Sequence, residues 1–131
     1  YKRQKVLIEN VGLRTKNNVL FDLPEYIALF DIFPQAGALL DTGHAHVNGW
    51  DISAVVQALG ERLTACHVHD NDGSGDAHLP VGQGDIDWKA YFGAVKKYAP
   101  QATQVFEYCC GFNNTKDLEA HIAELKRNYK L

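Results

Sequence analysis

Four short apolar runs of this chain each end in an acidic residue or a histidine. The end residues are Glu9, Asp41, His69 and Glu107, which lie 32, 28 and 38 positions apart. Each step is close to the roughly 30 residues of a unit of two parallel strands joined by a helix. Because parallel strands end at the same edge of a sheet, the spacing predicts four successive strands that deliver four metal-capable side chains to one place.

Periodicity and turn residues predict an alternation of strands and helices. Strands are expected over residues 5–9, 37–41, 64–69 and 104–108. Helices are expected over residues 25–33, 88–98 and 116–129, and a further helix is expected to begin after Asp51 or Ser53 and to end at Leu59. Pro24 suits a helix start, either Asp51 or Ser53 can cap the second helix, and Thr115 can cap the last. Residues 70–87 form a loop long enough to suggest function.

Four strand–helix units make half of an eight-fold barrel. The expected fold is therefore α/β of the TIM-barrel type, with residues 1–131 as a single (β/α)4 half-barrel that belongs to a full (β/α)8 barrel. The missing half would come from a longer polypeptide or from a second copy. The start at Tyr1 and the lack of methionine also lead us to expect a fragment or a processed chain.

Composition narrows the expected partners. The net charge is −3 and no Lys/Arg run exceeds two residues, so nucleic acid is not an expected partner. No apolar stretch approaches the roughly 18 residues of a membrane span, so no membrane partner is expected either. Cys66, Cys109 and Cys110 have apolar neighbours and are expected to be buried reduced thiols, which favours a cytoplasmic protein.

The sequences around the four end residues resemble those of a known superfamily. I-E-N at Glu9, D-T-G-H-A-H from Asp41, H-V-H-D-N-D through His69, G-Q-G-D-I-D-W and F-E-Y at Glu107 are similar to the C-terminal half of xylose-isomerase-like TIM barrels. That superfamily includes sugar isomerases and epimerases and the nucleases of AP endonuclease family 2. The resemblance implies that Glu9, Asp41, His69 and Glu107 hold a metal ion and that His44 contacts substrate.

Three further residues are candidate ligands for metal or substrate. His67 and His69 point to the same side of a strand, and the resemblance favours His69 as the ligand. Ketose 3-epimerases carry an arginine where this chain has Gly75. Asp76 and His78 instead resemble the extra zinc ligands of endonuclease IV.

Three carboxylates and one imidazole favour Mn²⁺ or Mg²⁺, with Zn²⁺ as an alternative. Glu9 and Glu107 would come from strands three positions apart and could pass a proton to and from a small substrate. The expected function is a metal-dependent isomerase or epimerase that acts on a sugar or sugar phosphate through an enediolate. Gly82 and Gly84 resemble a phosphate loop only weakly and more simply form a turn before Trp88.

Two rival functions remain open. The first is a zinc phosphodiesterase of the endonuclease IV kind, favoured by His44, Asp76 and His78. The second is a non-catalytic half-barrel that assembles with its own copies. The number of bound metal ions and the mass in solution would separate these functions.

Overall fold

The computed structural model describes residues 4–131, which form one parallel sheet flanked by helices. The strands are β1 (Leu7–Glu9), β2 (Gly37–Asp41), β3 (Leu63–Val68) and β4 (Thr103–Phe106), and the helices are α1 (Leu23–Ile32), α2 (Thr42–Val47), α3 (Ile52–Leu59), α4 (Trp88–Tyr98) and α5 (Thr115–Tyr129). The strand order follows the chain, β1-β2-β3-β4, and every pairing is parallel. The predicted half-barrel of four parallel strands is confirmed.

The two edge strands are shorter than the apolar runs that predicted them. β1 begins at Leu7, because its partner strand begins opposite, at Gly37. β4 ends at Phe106, which pairs with Val68, the last residue of β3. An edge strand has a neighbour on one side only, so its regular pairing stops where that neighbour stops.

Side-chain caps fix the helix starts. Asp22 caps α1 in a reciprocal capping box with Glu25. Asp51 caps α3, which resolves the choice between Asp51 and Ser53. The expectation for α5 was wrong by one residue. Asn114 is the cap and Thr115 is already helical, because the Asn114 side-chain oxygen accepts the bond from the amide of Asp117.

Helix α2 was not predicted. It starts directly after β2, and the Asp41 carboxylate caps it by accepting a hydrogen bond of 2.8 Å from the amide of His44. Its six residues, T-G-H-A-H-V, carry no apolar periodicity that would reveal a helix. His44 therefore lies on a helix that directly follows β2.

The two faces of the sheet have different surroundings. Leu40, Cys66 and Val68 face the helices and are fully buried. Asp41, His67 and Val105 lie opposite one another in register and, by alternation, occupy the other face. Val105 on that inner face is 40% exposed. The main core thus lies between sheet and helices, and the candidate site lies on the more open inner face.

The expectation that all three cysteines are buried was wrong for two of them. Cys66 lies in the core, where burial raises the pKa of its thiol to about 11. Cys109 and Cys110 are exposed free thiols. They follow the edge strand β4 and enter a loop, so no second layer of structure covers them.

The helices of residues 4–131 are all shorter than a membrane span. None of these helices is both long and apolar enough to cross a bilayer. The longest, α5, has 15 residues, fewer than the roughly 20 that a span requires.

Candidate metal and active site

The four predicted ligands lie at one edge of the sheet. Glu9 and Asp41 are the last residues of β1 and β2. His69 and Glu107 come directly after the last residues of β3 and β4. This is the carboxyl edge, where barrel enzymes place their reactive side chains.

Within residues 4–131, candidate ligand atoms at this edge form three overlapping triplets. Within each triplet the atoms lie within 4.8 Å of one another, a spacing that would suit a shared metal ion. The triplets are Asp41–His69–Glu107, Glu9–Asp41–His67 and His69–Asp76–His78. Asp41 and His69 each belong to two triplets, so they are the centre of the cluster.

His67 lies between the two outer carboxylates. Its Nδ1 is 3.8 Å from Oε1 of Glu9 and its Nε2 is 3.5 Å from Oε1 of Glu107. Its Nδ1 also lies 3.7 Å from Oδ2 of Asp41. The sequence ranked His67 below His69, but the structure places it among the ligand candidates of β1, β2 and β4.

Asp41 and His69 form a buried pair. Nε2 of His69 lies 3.1 Å from the Asp41 carboxylate. Burial opposes charge on both groups, but their hydrogen bond and mutual attraction outweigh it. The pKa of Asp41 is therefore lowered and the pKa of His69 is raised. The chain's own contacts favour the charged forms of both side chains.

A second group surrounds Asp76, on the long loop. Its Oδ2 lies 3.3 Å from Nε2 of His44 and 3.2 Å from Nε2 of His78. The His78 ring stacks on the His69 ring with centroids 3.8 Å apart. Nδ1 of His78 lies 3.2 Å from the carbonyl oxygen of Glu107, an acceptor that places the proton of the neutral ring on Nδ1 and leaves the lone pair of Nε2 for a metal ion.

Glu9 occupies a less polar environment than an exposed glutamate. Partial burial and the nearby negative charge of Asp41 raise the pKa of Glu9, and they outweigh the opposing effects of His67 and His44. His44 Nδ1 is 3.5 Å from Oε1 of Glu9, so this histidine bridges Glu9 and Asp76. A carboxyl group with a raised pKa is suited to holding a proton.

Supporting contacts that sequence reasoning missed hold the strand ends in place. The Asn10 side chain donates to the carbonyl of Asp41 and accepts from its amide, which joins β1 to β2. The Thr42 hydroxyl bonds to the backbone of His69 at 2.9 and 3.2 Å. Asn10 and Thr42 are short polar residues that are almost fully buried, which is typical of polar groups that hold a structure together. This burial cannot be read from the sequence.

His46, in contrast, points away from the cluster. Its Nε2 lies 2.6 Å from the carboxylate of Asp85, which is exposed. It is a rim contact between α2 and the end of the long loop.

Unsatisfied polar atoms show that the residues present suit a metal ion. Among residues 4–131, three buried side-chain atoms of the cluster lack a hydrogen-bond partner: Nδ1 of His44, Nδ1 of His69 and Oδ1 of Asp76. Buried polar atoms are rarely left without a partner, and such exceptions call for a ligand or ion. Carboxylate oxygens and imidazole nitrogens are suitable donors for Mn²⁺, Mg²⁺ or Zn²⁺.

Two known proteins are similar to this chain, one in structure and one in sequence. A crystal structure of a D-tagatose 3-epimerase-like protein superposes with a TM-score of 0.72 at 24% identity, over 95% of this chain and 46% of that one. An uncharacterized protein of Sinorhizobium fredii, y4fM, is 35% identical over 72 residues, which are 53% of this chain and 23% of the relative. The chain thus spans less than half the length of either protein.

A family model provides the broadest match. The model described as xylose isomerase-like TIM barrel covers residues 2–128, nearly the whole sequence. That range includes all four strands and the complete ligand cluster. The chain therefore belongs to the xylose isomerase-like TIM barrel family.

Proposed function

We propose that this chain is the C-terminal half of a metal-dependent isomerase or epimerase that acts on a sugar or sugar phosphate. The observation that carries the proposal is the cluster of four carboxylates and four histidines at one sheet edge, with three buried polar atoms left unpartnered. Membership of the xylose isomerase-like family and the likeness to an epimerase-like protein support it.

Glu9, Asp41, His69 and Glu107 are the proposed metal ligands. His67 is an additional candidate because it contacts both Glu9 and Glu107. The carboxylate-rich set favours Mn²⁺ or Mg²⁺, and Zn²⁺ is the alternative. A divalent ion bound here would polarise the carbonyl and hydroxyl oxygens of a sugar and so acidify the neighbouring C–H bond.

Glu9 and Glu107 are the proposed proton carriers. Glu9 is the last residue of β1 and Glu107 directly follows β4, on either side of His67, so they can reach a small substrate from different directions. One carboxylate takes the proton from the carbon beside the carbonyl, which gives an enediolate, and the other returns a proton. His44, between Glu9 and Asp76, is placed to orient a substrate hydroxyl.

Exchange of solvent deuterium into sugars tests this function. The complete barrel, loaded with Mn²⁺, would be incubated with a panel of ketoses and ketose phosphates in D₂O. We expect deuterium at the carbon beside the carbonyl in at least one sugar and about one divalent ion per site. No exchange in any sugar at full metal loading would contradict the proposal.

The triplet His69–Asp76–His78 favours one alternative function. It could hold a second ion, as in a zinc phosphodiesterase of the endonuclease IV kind. The same preparation loaded with Zn²⁺ would then nick DNA at abasic sites and contain more than one ion per site. Nicking without any sugar exchange would decide for this alternative.

The other half of the barrel is proposed to come from the same polypeptide or from a second copy. The chain covers 46% of its structural neighbour, and β4 and α5 leave an apolar groove lined by Phe106, Tyr108, Phe112, Leu118 and Ile122. If two copies closed a barrel without turnover, the chain would be a non-catalytic half-barrel. The deuterium experiment on that assembly distinguishes the two cases.

We also propose a cytoplasmic location. All three cysteines are free thiols and two of them are exposed, a state that a reducing compartment preserves. Cell fractionation with an antibody to the chain would test it, and recovery in an oxidising compartment would contradict it.

A further inference from the structure

The carboxylate of Asp70 is fully buried and accepts four hydrogen bonds. Oδ1 accepts from the amides of Asn71 and Ile86, at 3.0 and 3.3 Å. Oδ2 accepts from the amide of Gly82 at 2.8 Å and from the indole nitrogen of Trp88 at 2.7 Å. Two oxygens have about four lone-pair sites, so the carboxylate is saturated by donors from its own loop and the start of α4.

The glycine-rich segment that resembled a phosphate loop wraps around this carboxylate. Gly82 donates to it with φ of +89°, a conformation that other residues rarely adopt. A β-carbon at Gly84 would lie 2.4 Å from Oδ1 of Asp70 and 2.3 Å from the carbonyl oxygen of Asn71. The segment therefore surrounds an anion supplied by the protein itself, and the likeness to a phosphate site is explained.

The same residue ties the loop to the candidate site. The backbone of Asp70 forms a two-way bridge with Leu79, at 2.7 and 3.0 Å. His78, directly before Leu79, adopts φ of +47°, which is unusual for a residue other than glycine. In that conformation its ring stacks on His69 and its Nε2 faces Asp76.

We propose that Asp70 is a positioning residue for the triplet His69–Asp76–His78. Its negative charge folds residues 70–87 into the one arrangement that brings His78 and Asp76 to His69. The carboxylate does so through four donors that belong to none of the three ligands. A buried carboxylate with several N–H donors is a strong organiser, because losing its charge leaves those donors unpaired.

Asp70→Asn in the full chain, in its native assembly, tests the proposal. The amide has the shape of the carboxylate, but its NH₂ group would face two N–H donors. Asp72→Asn is the matched control, since Asp72 is exposed and its carboxylate accepts only from the amide and hydroxyl of Ser74 within the described residues. The readouts are NMR signals of the Trp88 indole and of the His69 and His78 imidazoles, amide hydrogen exchange at Gly82 and Ile86, and Zn²⁺ affinity.

We expect Asp70→Asn to shift the indole signal and both imidazole signals and to raise amide exchange at Gly82 and Ile86 by at least about 10-fold. Zn²⁺ affinity should fall about 10–100-fold, as it does when partners beyond the ligands are lost. Asp72→Asn should change none of these. If the indole shifts while His69 and His78 keep their signals, Asp70 does not position them and the proposal is wrong.

A milder variant keeps the test decisive if Asp70→Asn does not fold. Trp88→Phe removes one of the four donors and should move the His78 signals in the same direction by a smaller amount; unchanged His78 signals would overturn the proposal. The Zn²⁺ readout rests on the proposed metal site, but the NMR readouts do not. Moved imidazoles in a protein that exchanges no sugar proton would refute the proposed function and leave the role of Asp70 standing.

Discussion

Gly43 leaves room for His69. A β-carbon at position 43 would lie 2.0 Å from Cε1 and 2.5 Å from Nδ1 of the His69 ring. Both residues are buried, and the backbone of Gly43 is also fixed by a hydrogen bond from the Asn71 side chain to its carbonyl. The position of the His69 ring thus depends on the absence of a side chain at position 43, in the first turn of α2.

Gly43→Ala should therefore displace His69. The overpacking should cost about 1–3 kcal/mol in free energy of unfolding and weaken metal binding. Gly93→Ala is the matched control, because a β-carbon on this exposed helical residue would meet nothing within 4 Å. The control should be neutral or stabilising by up to about 1 kcal/mol. Urea unfolding and metal titration measure both effects, and equal behaviour of the two variants would contradict the close contact.

Glu107→Gln should remove turnover while the fold is kept. The two side chains are nearly the same size, but an amide cannot take the proton, so the rate should fall about 10²–10⁴-fold. Deuterium exchange into the substrate ketose measures the loss of rate. The free energy of unfolding, measured with urea, should change by less than about 0.5 kcal/mol. Glu124→Gln, on the exposed side of α5, is the control. A Glu107→Gln variant with normal exchange would exclude Glu107 as a proton carrier.

Glu9→Gln should behave in the same way if the two carboxylates share the proton transfers. His44→Ala should instead act mainly on substrate binding, because His44 lies on α2, between Glu9 and Asp76, and is placed to orient a substrate hydroxyl rather than to transfer the proton. Its KM for the sugar should rise more than its kcat falls. A larger fall in kcat would assign His44 to the chemical step.

Sequence and structure agree where the signal is a buried apolar run. The apolar runs around Leu39 and Leu40 and in β3 predicted strands. Because parallel strands end at one edge of the sheet, the residues at the ends of these runs, such as Glu9 and Asp41, were expected to lie together there. The sequence did not reveal α2, because its six residues are too few and too polar to show an apolar helical periodicity. The sequence ranked His67 below His69 and missed its contacts with Glu9 and Glu107, because those distances depend on the register of the strands.

The three cysteines should separate into two classes of reactivity. Cys109 and Cys110 are exposed, whereas Cys66 is buried and burial raises its pKa to about 11. Titration of the native protein with a coloured disulfide reagent at pH 8 should label two thiols quickly, and the third only after unfolding. Cys66→Ala should leave the fast phase unchanged. Three fast thiols would contradict the burial of Cys66.

His121 should make stability depend on pH. Partial burial against Tyr108 and Phe112 lowers its pKa below the ordinary value of about 6.5. The unfolded chain then binds the proton more readily, so the contribution of His121 is full above about pH 6.5 and is lost as the pH falls through the folded pKa. Urea unfolding from pH 7.5 to 5 should show a steeper loss for the natural protein than for His121→Gln. Parallel curves would contradict this.

The isolated 131-residue chain should associate. Within residues 4–131, β1 and β4 each pair with a strand on one side only, and Leu118 contributes to the apolar groove beside β4. Light scattering should show a species larger than 14.6 kDa that Leu118→Glu weakens. Asn128→Glu adds the same charge at an exposed position of the same helix and should have no effect. A well-folded monomer at low concentration would refute the expectation.

The ionisable side chains of the cluster all come from the four consecutive strand–helix units of this half-barrel, either from the strand ends or from the segments that follow them. If the proposed function holds, this half of the barrel encodes the ion site, and the other half encodes the opposite wall of the pocket. A gene fusion that exchanged the other half would alter the sugar that fits and leave the ligand set whole. Chimeras of this half with halves from different relatives should then vary in sugar preference while binding the same ion in the same number.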